Sequence, residues 1–159
     1  MEKNQTLHLL ILKSLSSIHR RIDNRNFRSS SYFRDIMEDN KAEIEVLSEW
    51  FQLNREQTFL LISSCLAVIE SDTAEFNIHA LARYLKSDVV DLLFQQKNIE
   101  TLLQREYWEQ VKYNNHSRVP IALLNKEFAL HSSMNKYLCS PKQELSDTNK
   151  IKLVLGDED

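Results

Sequence analysis

The chain contains a single glycine, Gly156, among its 159 residues. A phosphate-binding P-loop needs two glycines followed by a lysine, and the dinucleotide-binding fingerprint needs three, so both sites are excluded within these residues. There are also only two prolines. Because the tight turns of an all-β architecture draw on glycine and proline, this scarcity favours helices. With 42% hydrophobic and 27% charged residues, the composition predicts one packed core rather than disorder.

The stretch that begins at Asn54 predicts the first core helix. Asn54 can cap it, and Gln57, three residues later, can reach back to complete a capping box. The apolar residues that follow recur at steps of three or four and are numerous enough to widen the stripe. They predict a helix that is buried over most of its girth.

Two further helices are predicted on either side of a short break at Lys86 and Ser87. The first is short and begins at its cap, Asn77. The second is capped by Ser87 and either continues to Leu103 or breaks at the polar residues 95–98. Two helices joined by so short a connection outline a helix-turn-helix.

After these helices the pattern changes from helical to extended. Runs typical of strands, from Trp108 to Tyr113 and from Val119 to Leu124, flank a polar, turn-like loop. Together these segments predict a mainly α fold of the α+β class, in which a helical domain has a winged helix-turn-helix core and a small two-stranded β wing. The winged-helix domain is predicted at residues 54–134. A purely helical domain without the strands is the alternative.

Residues 1–53 are predicted to be an N-terminal helical extension that packs on this core. It starts with an amphipathic helix of about five turns. A loop rich in arginine and aromatic residues follows, and then a helical stretch from about Phe33 to Leu53 that the polar residues 38–43 could interrupt. Residues 135–159 are typical of a linker or tail, and their apolar run followed by an acidic end suggests a chain that continues into another element.

The titratable residues predict neither catalysis nor metal binding. The five histidines fall on different predicted elements, and none has a second ligand at metal-binding spacing. Cys65 and Cys139 are too few and too far apart for a zinc cluster or a disulfide framework, so a reduced, cytoplasmic setting is expected. No run approaches the roughly 20 apolar residues of a membrane span. We predict no catalytic, cofactor-binding or metal-binding residue and no cofactor.

The distribution of charge argues against a dedicated reader of duplex DNA. The helix that would enter the major groove starts with Asp88 and Asp91, whose sign is wrong for a phosphate lattice. Residues 54–134 contain eight Lys or Arg and ten Asp or Glu, a net charge of −2, whereas a duplex reader normally has a basic face. A DNA-binding transcription regulator is therefore the alternative function. Its candidate contacts are Arg25, Arg28, Lys97, Arg105, Lys112 and Arg118.

The run from Leu53 to Trp108 resembles the winged-helix segment that precedes the ATPase module in a bacterial group of AAA-family ATPases. The matching features are the helix start Leu53-Asn54-Arg55-Glu56, the short helix from Ile78 to Leu85 and the pair Leu102-Leu103. The resemblance covers about half of the chain and includes none of the family's nucleotide-binding motifs. It implies a non-catalytic N-terminal portion that recognises a protein substrate or adaptor, or that positions its own ATPase module beyond residues 135–159.

Overall fold

The structure is a computed structural model that describes residues 2–25, 32–111 and 126–134, with residues 2–8 and 133 described by their backbone alone. The described residues are mainly helical and include a small antiparallel sheet, which confirms the predicted class. In chain order the elements are α1 (Glu2–Asp23), α2 (Phe33–Asp39), α3 (Lys41–Phe51), α4 (Arg55–Ser71), β1 (Glu75–Phe76), α5 (Ile78–Leu85), α6 (Val89–Leu93), α7 (Gln96–Gln104), β2 (Trp108–Val111) and β3 (Glu127–Leu130), followed by a 3-10 turn at Ser132–Met134.

The N-terminal extension consists of α1, α2 and α3. The predicted interruption of its second helical stretch is confirmed and lies at Asn40, whose buried side-chain amide donates to the carbonyl of Ile36 at 2.9 Å. Arg21 of α1 donates to the Asn40 oxygen at 3.3 Å and to the Glu43 carboxylate at 2.7 Å. These bonds tie the junction between α2 and α3, and the first turn of α3, to α1.

α4 is the central helix of the fold. The predicted capping box is confirmed, because Asn54 accepts from the backbone N–H of Gln57 at 2.7 Å and the Gln57 side chain accepts from that of Asn54 at 3.1 Å. Every residue from Thr58 to Val68 is buried. α4 contacts α1, α2 and α3 as well as α5, α7 and β1, so the extension and the remaining elements share one hydrophobic core.

α5 and α6 form the predicted helix-turn-helix. Asn77 caps α5 as expected, since it accepts from the N–H of Ala80 at 2.8 Å. The predicted cap at Ser87 is wrong: the N–H of Ser87 donates to the carbonyl of Ala82 at 2.9 Å and so closes the end of α5. Asp88 occupies the N-cap position of α6 instead, without a side-chain cap bond.

The predicted long helix after Lys86 is two helices. It breaks at Phe94 and Gln95, where the polar stretch at residues 95–98 had allowed a break. The side chain of Asn98 stabilises the new helix start, because its amide donates to Gln95 at 2.8 Å and to Glu56 at 2.9 Å. The break therefore follows from a polar network that joins α7 to the first turn of α4.

The sheet has the strand order β1-β3-β2, and both pairings are antiparallel. The first predicted wing strand is confirmed as β2, and the sheet has three described strands where two were expected. The additional strand, Glu75–Phe76, is too short to show an alternating pattern in the sequence. The predicted second wing strand, from Val119 to Leu124, lies outside the described residues, and the described partner of β2 is Glu127–Leu130.

Aromatic packing attaches the sheet to α4. Trp108 and Phe128 are buried with their ring centroids 5.3 Å apart, and Phe76 lies 4.9 Å from Trp108. The indole Nε1–H of Trp108 donates to the hydroxyl of Ser64 at 2.8 Å. One strand residue thus provides both a large buried surface and a directed hydrogen bond to the central helix.

Candidate interaction surfaces

The outer face of α6 is apolar. Val90 is 65% exposed and Phe94 is 81% exposed, and a spacing of four residues places both on one face. Tyr32, at the start of α2, is 62% exposed and lines the same cleft as Phe94. We call Tyr32, Val90 and Phe94 the α6 patch. A single exposed apolar side chain is ordinary, whereas an adjacent group of three marks a candidate contact surface.

Phe94 lies at the break between α6 and α7. Of the residues of α6, only Leu92 is fully buried. The chain then turns, as the N–H groups of Phe94 and Gln95 donate to the carbonyls of Asp91 and Leu92 at 3.3 and 3.0 Å. Phe94 therefore lies at the corner between α6 and α7, with its side chain directed away from the core.

A cleft of about 380 Å³ lies beside the patch. Its lining residues are Tyr32, Phe33, Arg34, Asp35, Asp91, Phe94 and Gln95. The carboxylate of Asp91 accepts a hydrogen bond from the backbone N–H of Phe33, so a side chain of α6 satisfies the first turn of α2. The sequence predicted Asp91 as one of the first exposed residues of the helix that would face DNA. That expectation is wrong, because Asp91 is only partly exposed and is engaged with the N-terminal extension.

A second bond ties the extension to the helix-turn-helix. The ammonium of Lys86, in the turn between α5 and α6, donates to the carbonyls of Asp23 and Arg25 at 3.0 and 3.2 Å. Lys86 and Asp91 therefore hold the end of α1 and the start of α2 next to the first turn of α6. A duplex reader presents this end of its second helix to the major groove. Here the N-terminal extension lies beside it.

Of the six cations proposed for nucleic-acid binding, three lie in the described part of the chain, and two of these are engaged within the protein. Arg25 pairs with Asp39 at 2.7 Å, and its side chain is only 9% exposed. Arg105 donates to the carbonyls of Gln52 and Phe51, and its guanidinium lies 5.7 Å from the ring centroid of Tyr107. Lys97 is exposed on α7. The other three candidates, Arg28, Lys112 and Arg118, lie outside the described residues.

Trp50 and Phe51 are neighbours on α3 with different environments. Phe51 joins the extension to the rest of the protein: it is buried, its ring centroid lies 5.6 Å from that of Tyr107, and its carbonyl accepts from the Tyr107 hydroxyl at 2.9 Å. Trp50 is 53% exposed, and Val46, four residues earlier, is 42% exposed. The two form a second, less exposed apolar pair on α3.

Another cleft, of about 360 Å³, is formed by α1, α4 and α5. Its lining residues are His19, Ile22, Asp23, Ala67, Glu70, Ser71, Ala80, Arg83, Tyr84 and Lys86. The Tyr84 hydroxyl is hydrogen-bonded to His19 Nδ1 at 2.7 Å, and the two rings stack with their centroids 5.9 Å apart. Burial, with smaller effects from Glu70 and Asp23, raises the pKa of Tyr84, so the hydroxyl stays protonated. Sequence reasoning missed this pair, because its members are separated by 65 positions.

The described residues show no group of three His, Cys, Asp or Glu side chains that could hold a metal ion. Burial raises the pKa of the Cys65 thiol to about 12, so it is an inert core group at neutral pH. None of the described helices combines the length and the apolar character that crossing a membrane requires.

Comparison with known proteins gave no match, whether with family models, with curated proteins or with solved structures. The resemblance to the AAA-family ATPases therefore stays a prediction.

Proposed function

We propose that this chain is a non-catalytic protein-interaction domain whose α6 patch binds a partner protein. Phe94 supports this most directly, since it is 81% exposed on the helix that a DNA-binding winged helix would use for recognition. An exposed aromatic side chain gains little from phosphates, whereas its burial in an interface would contribute about 1.5–3 kcal/mol. Aromatic side chains are also enriched at the centres of protein interfaces.

The charges around the patch define the chemistry of the partner. Asp35 and Asp88 are exposed near it, and Arg34 is the cation that lines the adjoining cleft. Among the exposed charged residues of this cleft and of the start of α6, two are therefore acidic and one is basic. A partner segment that presents an apolar side chain flanked by lysine or arginine would complement both features.

We further propose, on the resemblance described above, that the domain belongs to the N-terminal, non-catalytic portion of a cytoplasmic AAA-family ATPase. The partner would be a protein substrate, an adaptor or the ATPase module of the same chain. The residues that carry the resemblance support this, since Asn54 caps α4, Ile78–Leu85 is helix α5 and Leu102 is buried in α7. Sequencing the codons that follow Asp159 tests it: a glycine-rich P-loop supports the proposal, and a stop codon at that point removes it.

Selection from a peptide library displayed on phage tests the α6 patch. The full chain is the bait, and the selected peptides are then measured against the variant Phe94→Ser. We expect peptides that combine an aromatic or aliphatic residue with lysine or arginine and that lose about tenfold in affinity, because a lost contact of about 1.4 kcal/mol corresponds to that factor.

Trp50→Ser is the matched control, because Trp50 is also an exposed aromatic side chain but belongs to the pair on α3. The selected peptides should bind this variant as they bind the wild type. Equal loss in Trp50→Ser and Phe94→Ser, or peptides that are acidic and lack an apolar residue, would contradict the proposed surface.

A further inference from the structure

The cleft formed by α1, α4 and α5 has the size and the floor of a small-molecule site. Ile22 and Ala67 are buried and Ala80 is half-buried, so the floor is apolar. Its volume of about 360 Å³ lies at the lower end of the range for ligand pockets. The site is separate from the α6 patch, whose cleft is lined by other residues.

Three helices end at this cleft. α1 ends at Asp23, α4 at Ser71 and α5 at Leu85, and the lining residues come mostly from their last turns. The carbonyls at the end of a helix carry a partial negative charge equivalent to roughly −0.5. Lys86, which also lines the cleft, places its ammonium on one such carbonyl, that of Asp23 at the end of α1, and on the carbonyl of Arg25 two residues later. The converging helix ends therefore favour a cation.

Two carboxylates strengthen this field. Glu70 and Asp23 line the cleft, and neither carboxylate has an ion-pair or hydrogen-bond partner among the described residues. Both contribute, after burial, to the raised pKa of Tyr84, so their field reaches its hydroxyl. That hydroxyl is bonded to His19 and still has an oxygen lone pair with which to accept another hydrogen bond.

We infer that this cleft binds a small organic cation of the primary-amine class with an apolar body. The ammonium lies between Glu70 and Asp23 and donates to the Tyr84 hydroxyl, while the hydrocarbon part covers Ile22 and Ala67. Arg83 is exposed and also lines the cleft. Its charge repels the cationic group of the ligand, which therefore lies next to the two carboxylates and leaves an uncharged group next to Arg83.

Titration of the full chain with isopentylamine, followed by the NMR signals of the His19 and Tyr84 rings, tests this site. We expect saturable shifts with the amine and none with 3-methylbutan-1-ol, which has the same shape without the charge. Glu70→Gln and Asp23→Asn should each weaken amine binding about two- to fivefold, the range expected for exposed ion pairs. Glu100→Gln, an exposed carboxylate on α7, should leave it unchanged.

Several results would overturn the assignment. Among them are the absence of saturable shifts with the amine, equal shifts with the alcohol, and equal weakening in Glu100→Gln. Leucine, titrated in parallel, carries the same side chain with an added carboxylate. Saturation by leucine but not by isopentylamine would show that Arg83 recognises a zwitterion and would refute the amine class. A backbone NMR spectrum of each variant confirms that the fold is unchanged.

Discussion

Two neighbouring serines of α4 should respond in opposite ways to the same substitution. The hydroxyl of Ser64 accepts from Trp108 Nε1–H at 2.8 Å and donates to the Leu61 carbonyl at 2.6 Å. The hydroxyl of Ser63 is buried without a hydrogen-bond partner among the described residues. Both residues are completely buried. Serine-to-alanine substitution therefore removes the same atom from the same helix, and the two variants differ only in what the lost hydroxyl had bonded.

The expected magnitudes follow from those bonds. Ser64→Ala leaves the indole N–H of Trp108 buried without its acceptor, which costs about 1–3 kcal/mol of unfolding free energy. Ser63→Ala removes a buried polar group that has no described partner, so stability should be unchanged or rise by up to about 1 kcal/mol. We expect the two variants to differ by at least about 1 kcal/mol. For a chain of this size that corresponds to roughly 2–4 °C in Tm.

Urea unfolding followed by circular dichroism measures this difference. A double-mutant cycle makes it specific, since Ser64→Ala should lose most of its effect in a Trp108→Phe background, where no N–H needs an acceptor. Equal destabilisation by Ser63→Ala and Ser64→Ala would refute the reasoning. So would a full effect of Ser64→Ala in the Trp108→Phe background, because the bond from the sheet to α4 would then not be the cause.

Three further predictions concern the caps, the thiol and one ion pair. Asn54→Ala should cost about 1 kcal/mol in urea unfolding, since both halves of the capping box are lost, and an unchanged midpoint would contradict this. Cys65 should not react with Ellman's reagent at pH 8 until the protein unfolds, because burial raises its pKa to about 12. The hydrogen bond from Arg21 lowers the pKa of Glu43, so the stabilisation is present above the unfolded-state pKa and is lost as pH falls through the folded value. Glu43→Gln should therefore be less stable than wild type at pH 7, by less than about 1 kcal/mol, and this difference should shrink as the pH falls below the usual pKa of a glutamate; a constant difference would exclude the ion pair as the cause.

Local sequence signals predicted much of this fold. The caps at Asn54 and Asn77 depend on residues three positions apart, so a short window contains everything needed to find them. The burial of α4 follows from its dense apolar stripe. The change from helical to β-prone residues at Trp108 marks the start of β2. Each of these features depends on residues that are close in the chain.

The incorrect expectations concern contacts between distant residues or residues with two possible roles. Asp91 bonds to Phe33, 58 positions away, and no local pattern links the two. Ser87 is a good N-cap residue by type, but it lies one position too early, since Asp88 holds the N-cap position of α6 and the N–H of Ser87 closes α5. Lys86 ends α5 in the left-handed conformation, with φ of 57°. Glycine is the usual residue at such a position, so the residue type did not indicate this conformation.

The candidate surfaces were harder to predict than the elements. Val90 and Phe94 fall outside the stripe formed by Val89, Leu92 and Leu93, and this offset was the available signal that they face solvent. Whether these two residues form a surface at the end of a helix depended on whether the helix broke at Phe94, and the sequence allowed both arrangements. No local sequence pattern indicated the cleft around His19 and Tyr84, because the cleft forms only when α1 packs on α5.

Binding to duplex DNA at low salt tests most directly whether α6 contacts protein or nucleic acid. The measurement is fluorescence anisotropy of a labelled duplex of mixed sequence, titrated with the full chain at about 50 mM salt, where phosphate contacts are strong. We predict no saturable rise in anisotropy. Saturable binding that weakens steeply as salt is added, and that falls when Lys97 is replaced by alanine, would contradict the assignment of α6 as a protein-binding surface.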